Sequence, residues 1–351
     1  MEKNKISRIE NLNKYSIILC MLVVLIHDHI PHYYDYGSNH LNNVLHYVMI
    51  EIIPKITSIA VPSFFILSGF LFFRNYKLGL TLQKYKSRFY SLVIPYLIWN
   101  TIGLIFEMIT RMPIFASLGQ VNSNPFLPKS IFYGIFLHQY TILWFVFALI
   151  LYVTIAPLIF LCIKKRYIGV LVILITIYLI QNQIFVITLP NGCYFESSSL
   201  AYYLVGSFIG LHLKDFYSTK VSFNISILSA IFLLAIIGFE CYLNNILQEW
   251  SIIKLLVKSY LFWNFCSYFF LYLKERKWFG YSFFIYVIHL NVIRAVSAII
   301  RLLSNHISQY NGIEFLQYLF TFVFTMFISV WIANMWKKKS VYTYNIVTGN
   351  R

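Results

Sequence analysis

Charge is what this chain is short of. Only 11% of its 351 residues are Asp, Glu, Lys or Arg, less than half of the roughly 25% in an ordinary soluble domain. With 59% hydrophobic residues and a mean hydropathy of +0.70, that scarcity excludes a soluble protein and points to an integral membrane protein. Negative charge is the scarcer sign: 12 Asp and Glu stand against 28 Lys and Arg, a net charge of +16. In a soluble chain that excess would suggest nucleic acid. In an apolar one it reads as Lys and Arg held in loops on the cytoplasmic side of a bilayer, so no nucleic-acid partner is expected. The five cysteines, Cys20, Cys162, Cys193, Cys241 and Cys266, show no CxxC or metal spacing. Neither a disulfide framework nor a metal site is expected. No small-residue cleavage site follows the apolar run after MEKNKISR, so that run is a first transmembrane helix and not a signal peptide. Internal repeats, low-complexity stretches and a soluble domain are also lacking. The expected organisation is one transmembrane domain, residues 1–340, and a short cytoplasmic tail, 341–351.

What is present is a series of apolar runs. A span takes roughly 17–25 mainly apolar residues. Ten segments qualify, at about 12–30, 56–73, 89–110, 141–163, 167–187, 199–213, 221–243, 252–273, 278–300 and 315–336. The expected fold is therefore an all-α bundle of about ten transmembrane helices. With the N-terminus inside, the inner segments hold 20 of the 28 Lys and Arg, and the outer loops hold only Lys55, Arg111, Lys129 and Arg301. That bias puts both termini in the cytoplasm. The longest outer loop, 111–140, carries Pro113, Pro125 and Pro128 and reads equally as an acceptor-binding loop or a plain connector.

The first span ends in a polar cluster, His27, Asp28, His29 and His32, that packing in hydrocarbon does not explain. Ionisable groups in or at the end of a span are costly and mark function. Leu12 to His27 covers about 22 Å of helix, which sets His27 past the midplane, toward the outside. Neighbours on a helix point about 100° apart, so a His27–Asp28 dyad is not implied. His29 and His32 read as solvated ends or as part of the site. His289, near the middle of the ninth span, should face the bundle interior. It could orient substrate or bond another helix, with Tyr286 one turn earlier.

Several segments in order resemble the membrane-bound acyltransferase-3 family, bacterial proteins that O-acetylate cell-surface glycans. Leu22–His27 (LVVLIH) is similar to the family's first-helix ending, and Val61–Phe73 (VPSFFILSGFLFF) to its second-helix signature. Arg88 followed by Leu92–Trp99 (LVIPYLIW) resembles the start of the third helix. Leu143–Ile159, Tyr202–Gly210 and Ser282–Ile293 resemble three later ones. The resemblance runs from about residue 8 to 295. It departs from the family at Ser16, where an Arg or Lys usually stands eleven residues before the His, and at Ser91, where another Arg is common. Lys14 is the nearest cation to Ser16.

The resemblance implies a multi-pass protein of the bacterial cytoplasmic (inner) membrane, in contact with membrane lipid. It implies acetyl-CoA as acyl donor, with no metal, and a glycan acceptor. His27 would be the catalytic base, because an imidazole titrates near neutral pH and a hydroxyl needs deprotonation to attack. Arg88 would hold coenzyme A phosphate through planar bidentate donors. Lys14, Ser68, Trp144, Tyr286 and His289 are supporting candidates, each with a packing or structural reading beside it. Two other classes stay open: a glycan or glycolipid transporter, and an assembly partner that keeps the fold without the activity.

Overall fold

The computed structural model describes residues 2–28, 40–110, 124–242, 251–304 and 313–350. His29, His32 and residues 111–123 of the long loop lie outside them. Among the described residues every regular element is helical. In chain order these are α1 (Glu2–His27), α2 (His40–Tyr47), α3 (Ile53–Thr57), α4 (Ala60–Phe73), α5 (Thr81–Arg88), α6 (Ile94–Thr110), α7 (Pro128–Phe136) and α8 (Trp144–Thr154). They continue with α9 (Ala156–Ile163), α10 (Arg166–Gln181), α11 (Ser199–His212), α12 (Phe223–Tyr242), α13 (Ser251–Phe269), α14 (Ser282–Ser304), α15 (Ile313–Lys339) and α16 (Val341–Thr348). Each of the ten apolar segments of the sequence contains helix. Five stretches are long and apolar enough to cross a membrane: Asn43–Phe73, Leu78–Ile109, Phe223–Tyr242, Lys277–Ile300 and Ile313–Lys339. The bent pair Trp144–Thr154 and Ala156–Ile163 makes a sixth if counted as one span.

Prolines set the irregularities. Segment 141–163, expected as one straight span, bends by 66° between α8 and α9. Pro157 sits at the start of α9, where its missing N–H breaks the ladder. Two π turns, Val48–Ile52 and Phe89–Val93, stand just before Pro54 and Pro95. A proline ring clashes with the carbonyl four residues back, here that of Ile50 and of Ser91, and a wider turn relieves the clash.

The chain divides into two compact units, Met1–Phe64 with Asp215–Met335 and Phe65–Lys214 with Trp336–Arg351. In the first, α1 runs beside α14, and Tyr15, Trp263, Tyr217 and Phe270 form its aromatic core. In the second, small residues let α4 and α11 touch backbone to backbone. A Cβ at Gly206 would lie 2.0 Å from the Ile66 carbonyl oxygen, and one at Gly210 2.5 Å from that of Phe70. Small residues at such crossings are how membrane helices gain contact without a hydrophobic driving force. The short tail expected from residue 341 onward carries α16 on this unit. Tyr344 is fully buried, and the Trp99 indole N–H donates to the Val347 carbonyl at 2.8 Å. Gly349, at φ +67°, approaches the backbone of Ser91, the residue whose carbonyl Pro95 displaces.

Candidate active site

The site is built at the end of α1. His27 is the last residue of that helix and half-buried. The imidazole of His27 turns back along its own helix, with Nδ1 2.9 Å from the Val23 carbonyl oxygen. The same Nδ1 lies 3.3 Å from Nε2 of His289, and the two rings stand 5.0 Å apart at 66°. His289 is fully buried, as expected for an imidazole within a span, and its Nδ1–H donates to the Tyr286 carbonyl at 2.6 Å.

These bonds fix the tautomers. A neutral imidazole has one N–H, and a carbonyl can only accept. The proton of His289 is therefore on Nδ1, and its Nε2 accepts. The proton of His27 is then on Nδ1, shared between the Val23 carbonyl and His289. The basic lone pair of His27 is left on Nε2, on the far side of the ring. Tyr286 contributes its backbone carbonyl to this arrangement, one turn before His289.

Asp28 follows at 1% exposure, and among the described residues neither carboxyl oxygen has a hydrogen-bond partner. It makes no dyad with His27, in keeping with their spacing on a helix. Tyr318 of α15 meets the same end of α1: its hydroxyl donates to the Leu25 carbonyl at 3.1 Å.

Lys14 is buried on α1 about 20 Å of helix before His27. Its ammonium donates to the Phe270 carbonyl at 2.9 Å, just beyond the end of α13. A cation there answers the unpaired carbonyls of a helix C-terminus. Lys14 is thus committed to holding α13, and Ser16, half-buried one half-turn on, brings no charge.

Arg88 belongs to the second unit. It ends α5 where the π turn begins, with its guanidinium 5.7 Å from the ring of Phe72 and close to Tyr203. Lys84, one turn earlier, bonds the Phe72 carbonyl and lies 4.8 Å over the same ring. The Tyr203 hydroxyl is buried without a hydrogen-bond partner among the described residues. The other candidates in this unit are packed. Trp144 stacks edge-on to Tyr194 at 5.1 Å and against Phe65 at 5.9 Å. Ser68 is half-buried on α4 beside Gly69, where a Cβ would lie 2.4 Å from the Tyr203 carbonyl oxygen. His138, in the loop before α8, is a buried hub: Nε2–H donates to the Tyr194 carbonyl at 2.9 Å, and Nδ1 is 3.3 Å from the Tyr96 hydroxyl. Burial pushes its pKa below the ordinary value, partly offset by the Tyr194 carbonyl.

Two groups emerge only in three dimensions. Lys258, fully buried on α13, donates to Glu240 Oε2 at 2.8 Å, to the Lys55 carbonyl at 2.6 Å and to Ser58 Oγ at 3.1 Å. Lys254 pairs with the other oxygen of Glu240 at 2.9 Å. The second group is a buried polar face along α15, Glu314, Gln317, Tyr318, Thr321, Thr325 and Ser329. Sequence reading passed over it. The signal was there, polar residues every three or four positions through an otherwise apolar run.

The described residues are those of a helical, multi-pass membrane protein with two imidazoles paired at the end of its first helix. The family model described as Acyltransferase domain, the acyltransferase-3 family, matches residues 17–334, and the chain belongs to that family. No curated protein and no solved structure matches it.

Proposed function

We propose that this membrane acyltransferase moves an acetyl group from cytoplasmic acetyl-CoA to a hydroxyl of a cell-surface polysaccharide or of its lipid-linked precursor, in the bacterial cytoplasmic membrane. The observation that carries the reading is the His27–His289 pair, which leaves the basic lone pair of His27 on Nε2. His27 Nε2 takes the proton of the acceptor hydroxyl as its oxygen attacks the thioester carbonyl. The tetrahedral adduct collapses, the C–S bond breaks, and the imidazolium returns the proton to the departing thiolate of coenzyme A. General base catalysis of this kind contributes roughly 100- to 10,000-fold. Arg88 is the candidate for the phosphates of the donor, since a guanidinium offers them two parallel N–H donors. His289 holds the ring of His27, and Tyr286 holds His289.

The test is the O-acetyl content of surface glycan from cells carrying wild type, His27→Ala or an empty vector, at matched membrane levels. Ester present with wild type alone supports the transferase. Equal content in all three overturns it. One observation favours a second reading, an assembly partner or glycan transporter on the same scaffold: Ser16 lacks the family's cation, and Lys14 is engaged elsewhere. In that case His27→Ala changes polymer export and leaves the acetyl content of the exported polymer unchanged.

A further inference from the structure

The first unit keeps a set of buried polar atoms that its own fold does not use. Asp28 is 1% exposed, and both its oxygens lack hydrogen-bond partners among the described residues. Gln317 is 6% exposed with Nε2 unpartnered, and Glu314 is 7% exposed with Oε1 unpartnered. The second oxygen of Glu314 faces His46 at 4.0 Å. Glu314, Gln317 and Tyr318 share one face of the first turns of α15, being three and four residues apart. Tyr318 pins that face to the last turn of α1 through Leu25. It thus links the face of α15 that carries Glu314 and Gln317 to the helix end that carries His27 and Asp28. Buried polar groups are nearly always satisfied, and an unsatisfied one costs stability. Several together, beside a catalytic base, are what a site shows when its ligand supplies the missing bonds.

We propose that Asp28, with Glu314 and Gln317 at the start of α15, forms the acceptor subsite, and that it takes an uncharged polyol in preference to an anionic sugar. This rests on the transferase reading. Carboxyl oxygens accept bonds from sugar hydroxyls, and the Gln317 amide N–H donates to a hydroxyl or ring oxygen, so a polyol supplies both kinds of partner. Asp28, Glu314 and Gln317 bring no cationic group to offset the desolvation of a uronate or a phosphate, whereas a neutral polyol carries no such cost. Asp28 binds the acceptor and holds it against Nε2 of His27. It takes no part in proton transfer.

The experiment uses the full chain in lipid nanodiscs. Binding of a panel of neutral methyl glycosides (glucose, galactose, mannose and N-acetylglucosamine) is measured beside methyl glucuronide, for wild type, Asp28→Asn and Gln317→Leu. Melting temperature and transfer of labelled acetyl from acetyl-CoA are read in the same preparations. Wild type should bind at least one neutral glycoside about tenfold or more tighter than the glucuronide. Each variant should lose about tenfold in that affinity, the worth of one hydrogen bond to a charged or well-placed group. The KM for acetyl-CoA should stay unchanged. Because Asp28 is unsatisfied in the free protein, Asp28→Asn should melt at the same temperature or higher, which a structural aspartate would not do. Wild type binding none of the neutral glycosides, or Asp28→Asn binding them as wild type does, overturns the subsite. So does a variant whose only change is in acetyl-CoA KM or in melting. Glycoside binding that depends on Asp28, without acetyl transfer by wild type, upholds the subsite and overturns the transferase reading alone.

Discussion

Lys258 and Asp28 are both ionisable, both in the first unit and both out of water, at 0% and 1% exposure. Lys258 has three partners, Glu240, the Lys55 carbonyl and Ser58. Asp28 has none for either oxygen among the described residues. In hydrocarbon a charge without a partner costs several kcal/mol, so the fold must either satisfy such a group or hold it for something else. The lysine is scaffold: it ties α13 to α12 and to the end of α3. The aspartate stands next to His27. Burial alone does not separate the two cases, whereas the state of the hydrogen bonds does.

The comparison can be broken at several points. The largest effect is expected at the proposed base: His27→Ala should lower the proposed acetyl transfer about 100-fold or more while melting temperature changes little. Retained transfer in a folded variant would remove His27 from the chemistry. Next comes Glu240→Leu, which strands Lys254 and Lys258 together and should cost about 3–5 kcal/mol, measured by thermal or denaturant unfolding in lipid nanodiscs. Lys258→Met should cost less, about 1–3 kcal/mol, because Glu240 keeps Lys254. In both, the turnover of the remaining folded protein should match wild type. A folded Lys258→Met variant without activity would mean that the network belongs to the site and that the contrast with Asp28 is false.

The smallest effect sharpens the comparison with a third buried group, His138. Its folded pKa lies below the ordinary 6.5 because burial penalises the imidazolium. The unfolded chain therefore binds the proton first as pH falls. The stability that His138 contributes is complete above about pH 6.5 and is lost as pH drops below that value toward its folded pKa. His138→Gln should flatten this acid-side decline, read from unfolding curves across pH. An unchanged decline would show that other groups set it.

Much of the scaffold was legible from residue order. Each apolar segment contains helix, because a chain in lipid must satisfy its backbone within the segment itself. The bend at Pro157 and the π turns before Pro54 and Pro95 follow from prolines printed in the sequence, although their form needed coordinates. His27 and His289 were both visible as imidazoles in apolar runs. Their partnership was not, since 262 positions separate them. The roles of Lys14 and Trp144 also turned on neighbours remote in sequence. Lys14 could be read as the missing family cation until its bond to the Phe270 carbonyl placed it on α13.

Sequence by itself determined the solvent, the helical class and the acyltransferase-3 resemblance, because composition, apolar run length and local motifs are properties of short stretches of chain. Tertiary structure decided which polar groups are spent on the fold and which are left over. Lys258 and Asp28 look alike in a string of letters. The partners that satisfy one come from helices brought beside it by packing, and the other meets none among the described residues. The tautomer of His27 is decided in the same way, by a carbonyl one turn behind it and an imidazole from α14. A hydrogen bond depends on distance and direction between groups far apart in the chain, and neither is encoded in any single segment.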